Sequence, residues 1–270
     1  MSPWCSMRGC NHGRGGRISF SPRRLAFGGV ASLLFLSWLP EAIAGPELDP
    51  GAFFQYMPSQ RGTLQARVRN AGDTAAFVQI QLAEITFDEQ GNPTEHSLRT
   101  QDGFERALLV TPPRLIIPAG GSQAVRVIYR GARTQERYFR VRYVPIMPKA
   151  NDGFALQPNE AQAYAEAIQA GVGVLKAIGT IVIVGPREPR YDTRLDATEK
   201  RLRLINEGNA TVRVDNARYC TLTTDTCSGE TTAHIRPGQH LDIPQRAGEV
   251  YRFELREGAT HTSHVYPQGK

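Results

Sequence analysis

The chain has 270 residues, with 32 basic and 26 acidic side chains, a formal net charge of +6 and 40% hydrophobic residues. That length accommodates two domains of ordinary size. Residues 1–44 carry five of the basic side chains and one of the acidic ones, so the remainder is nearly charge-balanced. This removes the electrostatic reason to expect nucleic acid or an anionic membrane as partner.

The first element in chain order lies outside the fold. Arg23 and Arg24 precede the apolar residues 25–39, and Pro40-Glu41-Ala42-Ile43-Ala44 closes the run with small residues. A basic flank, about 15 apolar residues and such an exit predict a secretory signal peptide over residues 1–44, cut near Ala44. Gly28, Gly29, Ser32 and Ser37 dilute the run, which is short for a span, so no stable membrane anchor is expected. The long basic stretch before Arg23 leaves Met7 or a later residue as an alternative start.

Residues 53–185 mostly follow a period of two. Leu64, Ala66 and Val68 alternate with Gln65, Arg67 and Arg69, and Asn70-Ala71-Gly72-Asp73 then turns the chain. Residues 77–82 alternate again and end in the turn formers of residues 87–93. Residues 109–127 read as two short strands hinged at Gly120-Gly121, with prolines where a sheet edge lacks a donor. Phe139, Val141 and Tyr143 then alternate with Arg140 and Arg142. Short alternating strands joined by turns predict an antiparallel, immunoglobulin-like sandwich.

Residues 160–184 are mixed. Residues 160–167 are strong helix formers and predict one or two helical turns. Residues 171–184 combine β-branched side chains with glycines and predict a long strand, its apolar end buried on both faces. Gly185-Pro186-Arg187-Glu188-Pro189-Arg190 reads as a hinge. The expected organisation is a leader over 1–44, a first domain over 45–185 and a second β-sandwich domain over 186–270.

Candidate chemistry is sparse. Cys5 and Cys10 belong to the leader. Cys220 and Cys227 remain and are expected to form a disulfide closing a short loop. A metal pair is the alternative, but no other cysteine or nearby histidine completes a tetrahedral site. His261 and His264 are spaced so that a strand would turn them to opposite faces, and neither Ser122 nor Ser228 sits in a G-x-S-x-G frame. No catalytic residue, metal or cofactor is expected.

Four features together resemble the two-domain periplasmic pilus-assembly chaperones of the chaperone/usher pathway, most of all the alternate, colonisation-factor-type branch. They are the segment 109–127 with its Pro118-Ala119-Gly120-Gly121-Ser122 turn, Glu136-Arg137-Tyr138-Phe139-Arg140-Val141, Leu204-Ile205-Asn206-Glu207-Gly208-Asn209, and Tyr219-Cys220…Cys227 followed by Ile235-Arg236-Pro237-Gly238. The resemblance implies an all-β protein of two immunoglobulin-like domains, located in the periplasm. Its partners would be pilus subunits, bound by donor-strand complementation, and an outer-membrane usher that receives them. The donor strand would carry Ile168, Ala170, Val172 and Val174 on one face, with Ile178 further along.

Family members of the better-known branch hold the client's terminal carboxylate with a buried basic pair. Those positions fall near Tyr56 and Ile181 here, so Lys176 and Arg61 are the nearest basic candidates for the anchor. Arg126, Arg140 and Arg142 are expected to project from neighbouring strands, either lining the cleft or forming a solvated face with Glu136 and Glu105. An exposed donor edge makes a self-capping homodimer a candidate resting state. The alternatives are a structural pilus or adhesin subunit and a periplasmic ligand-binding β-sandwich module.

Overall fold

The structure, a computed structural model, describes residues 45–100, 105–149, 154, 157–170 and 175–267. The first sandwich comprises β1 (Leu48–Asp49), β2 (Phe54–Met57), β3 (Thr63–Asn70), β4 (Ala76–Phe87), β5 (Pro93–Ser97), β6 (Leu108–Thr111), β7 (Arg114–Ile117), β8 (Ser122–Tyr129), β9 (Arg137–Pro145) and β10 (Ile178–Val184). A helix, α1 (Pro158–Ala170), lies between β9 and β10. The second sandwich comprises β11 (Thr193–Ala197), β12 (Arg201–Asn206), β13 (Val212–Thr221), β14 (Thr231–Ile235), β15 (His240–Pro244), β16 (Glu249–Glu257) and β17 (Thr260–Tyr266).

In the first sandwich one sheet runs β1-β3-β8-β6 and the other β2-β10-β9-β4-β5, with β7 also beside β4. In the second, β11-β12-β15 faces β14-β13-β16-β17. The alternation in the sequence has its expected consequence. Val68, Val125, Val127, Phe139, Val141 and Tyr143 point into one core, and Leu204, Val212, Val214 and Ile235 into another. Burying one such side chain contributes roughly 1.5–3 kcal/mol, so two separate cores hold two separate sandwiches. Among the described residues no helix is long and apolar enough to cross a membrane.

The segment 109–127 differs from its expected form. It contains three strands, and β7 and β8, which flank the Gly120-Gly121 turn, belong to opposite sheets. The chain leaves the first sheet at Thr111-Pro112-Pro113, where two consecutive residues have no N–H to offer a ladder, and returns to it at the Gly120-Gly121 turn. What looks like a hairpin is a corner.

Each sandwich closes a strand with a fully buried asparagine. Asn70 Nδ2 donates to the carbonyls of Thr74, Ile117 and Pro118, and its Oδ1 accepts from the N–H groups of Glu47 and Gly72. Asn206 repeats the pattern on Ala210, Ile235 and Gly208. Two residues on, a Cβ at Gly72 or Gly208 would fall 2.0 Å from the Gly45 carbonyl oxygen or 2.3 Å from that of Arg190. The preceding chain crosses there, and only glycine leaves it room.

The loop of the second sandwich is closed by the disulfide between Cys220 and Cys227, whose Cα atoms are 4.0 Å apart.

Candidate functional site

β10 has two different sides. Along one it pairs antiparallel with β9 over its whole length, Ile178 with Tyr143 through Val184 with Arg137. Along the other it pairs parallel with β2, but only from Ile181 (opposite Phe54) to Val184 (opposite Met57). Ile178 and Gly179 therefore present a ladder edge that β2 does not reach, while Thr180 beside them is buried. Ile178 packs half-buried against the first core. Val182, Ile183 and Val184 are buried, as the apolar end of this segment predicts.

The expected donor residues are distributed differently from an unbroken strand. Ile168 and Ala170 lie in α1 and are helical, a correction to the extended reading. Local chemistry explains it. Pro158 occupies the first helical position, Glu160 reaches back to the Gln157 N–H at 2.8 Å, and Gln162 bonds Glu166 one turn on at 2.9 Å. Tertiary contacts extend the helix to its end. Tyr164 OH donates to the Ala75 carbonyl at 2.9 Å and its ring meets Phe77 edge-on, while Ile168 is only 5% exposed. Val172 and Val174 lie outside the described residues.

The candidate anchor does not assemble. Lys176 is exposed before β10 begins, and Arg61 is exposed in the turn after β2. Because β2 and β10 run parallel with Met57 opposite Val184, Lys176 before β10 and Arg61 after β2 sit at opposite ends of the pair.

The arginine trio is also divided. Arg126 projects from β8 in the other sheet, next to Gln65 and Thr111. Arg140 and Arg142 share β9 and both bind Glu95 of β5, at 3.1 and 2.6 Å, in place of Glu136 or Glu105. They form a paired outer face of their sheet, and the cleft between the sandwiches is lined by other side chains.

That cleft, with a cavity of about 510 Å³, is bordered by Tyr56, Glu136, Tyr191, Thr211, Arg213 and Arg256. Two clasps close it. In the first, Glu136 accepts hydrogen bonds from the Thr211 N–H at 2.8 Å, the Thr211 hydroxyl at 2.5 Å and the Tyr138 hydroxyl. Burial pushes the Glu136 carboxyl up despite these donors, and pushes the Tyr138 phenol well above its usual range. In the second, the Tyr56 hydroxyl lies 2.5 Å from His234 Nδ1 and Phe54 stacks on the imidazole at 3.8 Å. Burial, and then the nearby Arg213 charge, hold His234 below its ordinary value and favour the neutral ring. Arg213 lies over the Tyr56 ring and, with Arg256, binds Asp215.

Arg133 fixes the hinge at its root. Its guanidinium donates to the carbonyls of Gly185 at 2.8 Å and Arg61 at 2.6 Å.

The residues of the two clasps do not emerge as a site from the sequence. The available signal is Tyr138, an aromatic on the arginine-bearing side of an alternating strand.

Two immunoglobulin-like sandwiches in tandem, clasped across a cleft, place the chain among the tandem immunoglobulin-like proteins. No family model matches it. The protein named probable fimbrial chaperone EcpB from Escherichia coli (strain SMS-3-5 / SECEC) is 30% identical over 183 residues, covering 67% of this chain and 72% of that protein. EcpB of Escherichia coli O18:K1:H7 (strain IHE3034 / ExPEC) is 27% identical over 210 residues, or 75% and 86% of the two chains. The crystal structure of the class 5 fimbriae chaperone CfaA aligns with a TM-score of 0.48 and 16% identity over 83% of this chain and all of that one. The chain belongs to the fimbrial chaperone family that includes the EcpB proteins.

Proposed function

We propose that this protein is a periplasmic chaperone that binds pilus subunits by donor-strand complementation and hands them to an outer-membrane usher. Residues 1–44 are its cleaved signal peptide, 45–185 its subunit-binding domain and 186–270 its second domain. The observation that carries this reading is the edge of β10 at Ile178 and Gly179, which no strand covers among the described residues, in a chain whose relatives are named fimbrial chaperones. A strand edge without a partner is an unstable element in water, and an incomplete subunit fold supplies the missing ladder. Ile168, Ala170, Val172 and Val174 enter the client groove in the extended state, with Ile178 already on β10. Burying them contributes roughly 5–10 kcal/mol before ordering costs.

The test is co-purification with the pilin encoded beside this chain's gene, comparing wild type with Val172→Asp/Val174→Asp. Loss of the complex with unchanged melting supports the donor reading. Undiminished complex formation in the double variant rejects it. If wild type retains no neighbouring pilin, the weight moves to a periplasmic ligand-binding module.

A further inference from the structure

Among the described residues, no strand of this molecule is placed to pair with an extended chain leading into Ile178. β9 ends at Pro145, two residues beyond the Tyr143 that pairs with Ile178, and a proline offers no N–H. On the other side β2 begins pairing only at Ile181. A chain extended from Ile178 back to Ile168 covers roughly 33 Å, most of it past the end of the sheet. Its N–H and C=O groups would find no ladder partner among the described residues, and apolar side chains on an unpaired strand face water.

A helix removes both problems. It satisfies the backbone internally, and α1 has its own start signals in Pro158 and the Glu160–Gln157 bond. It also buries Ile168 and docks Tyr164 on Phe77 and Ala75, against the first sandwich itself. One residue thus has two uses, buried in the helix and client-facing in the strand.

Building on the donor-strand reading, we propose that α1 is the resting store of the donor segment. It holds Ile168 helical and docked until a pilus subunit supplies ladder partners, whereupon the helix unwinds from its C-terminal end back through Gln162 and its last residues join the strand. The helix is then an autoinhibitory contact. The apparent affinity for a subunit is the intrinsic affinity reduced by the fraction of molecules in which the segment is unwound.

Weakening the helix must therefore strengthen binding. Gln162 and Glu166 are suitable for the test because they bond each other on the helix surface and precede the donor residues. Gln162→Gly lowers helix stability by an amount that corresponds to about fivefold in the unwound population, so the Kd for the neighbouring pilin should tighten about fivefold. The opposite variant, Gln162→Cys/Glu166→Cys bridged by a bifunctional alkylating reagent, should bind more weakly than the same protein left unbridged. Cα chemical shifts of residues 164–168 should be helical in the isolated chaperone and extended in the complex.

Unchanged or weaker binding by Gln162→Gly overturns the proposal, as do helical shifts that persist in the complex. Val172→Asp/Val174→Asp separates the two levels. If that variant loses the pilin while Gln162→Gly changes nothing, the donor reading stands and the stored helix falls. If the charged variant still binds, both fall.

Discussion

Truncating Asn206 to alanine should unfold the second sandwich at markedly lower denaturant. The side chain is fully buried, and three backbone groups depend on it: the carbonyls of Ala210 at 2.9 Å and Ile235 at 2.8 Å, and the N–H of Gly208 at 3.0 Å. A buried polar group left without a partner costs about 1–3 kcal/mol, and water entering the small space vacated recovers part of that. The net loss should be about 3–4 kcal/mol. With a urea slope of about 2 kcal/mol per molar, the midpoint should fall by about 1.5–2 M, read by far-UV circular dichroism. Asn206→Asp sharpens the test. It keeps the acceptor for Gly208 but turns a carboxylate toward two carbonyl oxygens, so its folded-state pKa is raised. A raised carboxyl pKa means that the folded state holds the proton longer, so stability falls as pH rises through the carboxyl range. The aspartate variant should therefore recover on acidification to pH 4–5 relative to the alanine variant. A midpoint shift below about 0.3 M for Asn206→Ala would refute the view that this asparagine holds the corner.

His234, held below its ordinary value, contributes stability that is present above about pH 6.5 and lost as the pH falls toward its lowered folded-state value. Thermal melting between pH 7 and pH 5 should therefore decline more in wild type than in His234→Gln, which keeps an acceptor for Tyr56; parallel profiles would show that the ring does not couple the sandwiches. Arg133→Ala should speed proteolysis within residues 185–190, because the carbonyls of Gly185 and Arg61 lose their shared donor, at a cost of about 1–2 kcal/mol. Limited digestion followed by mass spectrometry checks this, and an unchanged cleavage rate would remove Arg133 from the hinge. Cys220→Ser/Cys227→Ser should lower stability by about 2–3 kcal/mol through the freed loop of the unfolded chain, seen as a lower urea midpoint than the oxidised wild type.

The sequence alone was sufficient for whatever depends on a residue and its near neighbours. Period-two alternation identified the buried faces of β3, β8 and β9, since adjacent side chains on a strand must point to opposite sides. The asparagine-glycine turns at Asn70 and Asn206 and the pairing of Cys220 with Cys227 were legible for the same reason. Only the tertiary structure decided which sheet a strand joins. It separated Arg126 from Arg140 and Arg142 and made a corner of the Gly120-Gly121 hinge. It also brought Glu136 to Thr211 across 75 positions and gave Ile168 a buried place at the end of a helix, where the resemblance had implied the start of a donor strand. Strand partners and burial are supplied by residues distant in the chain. A segment such as 158–170 takes the conformation whose backbone and apolar groups those distant residues can satisfy.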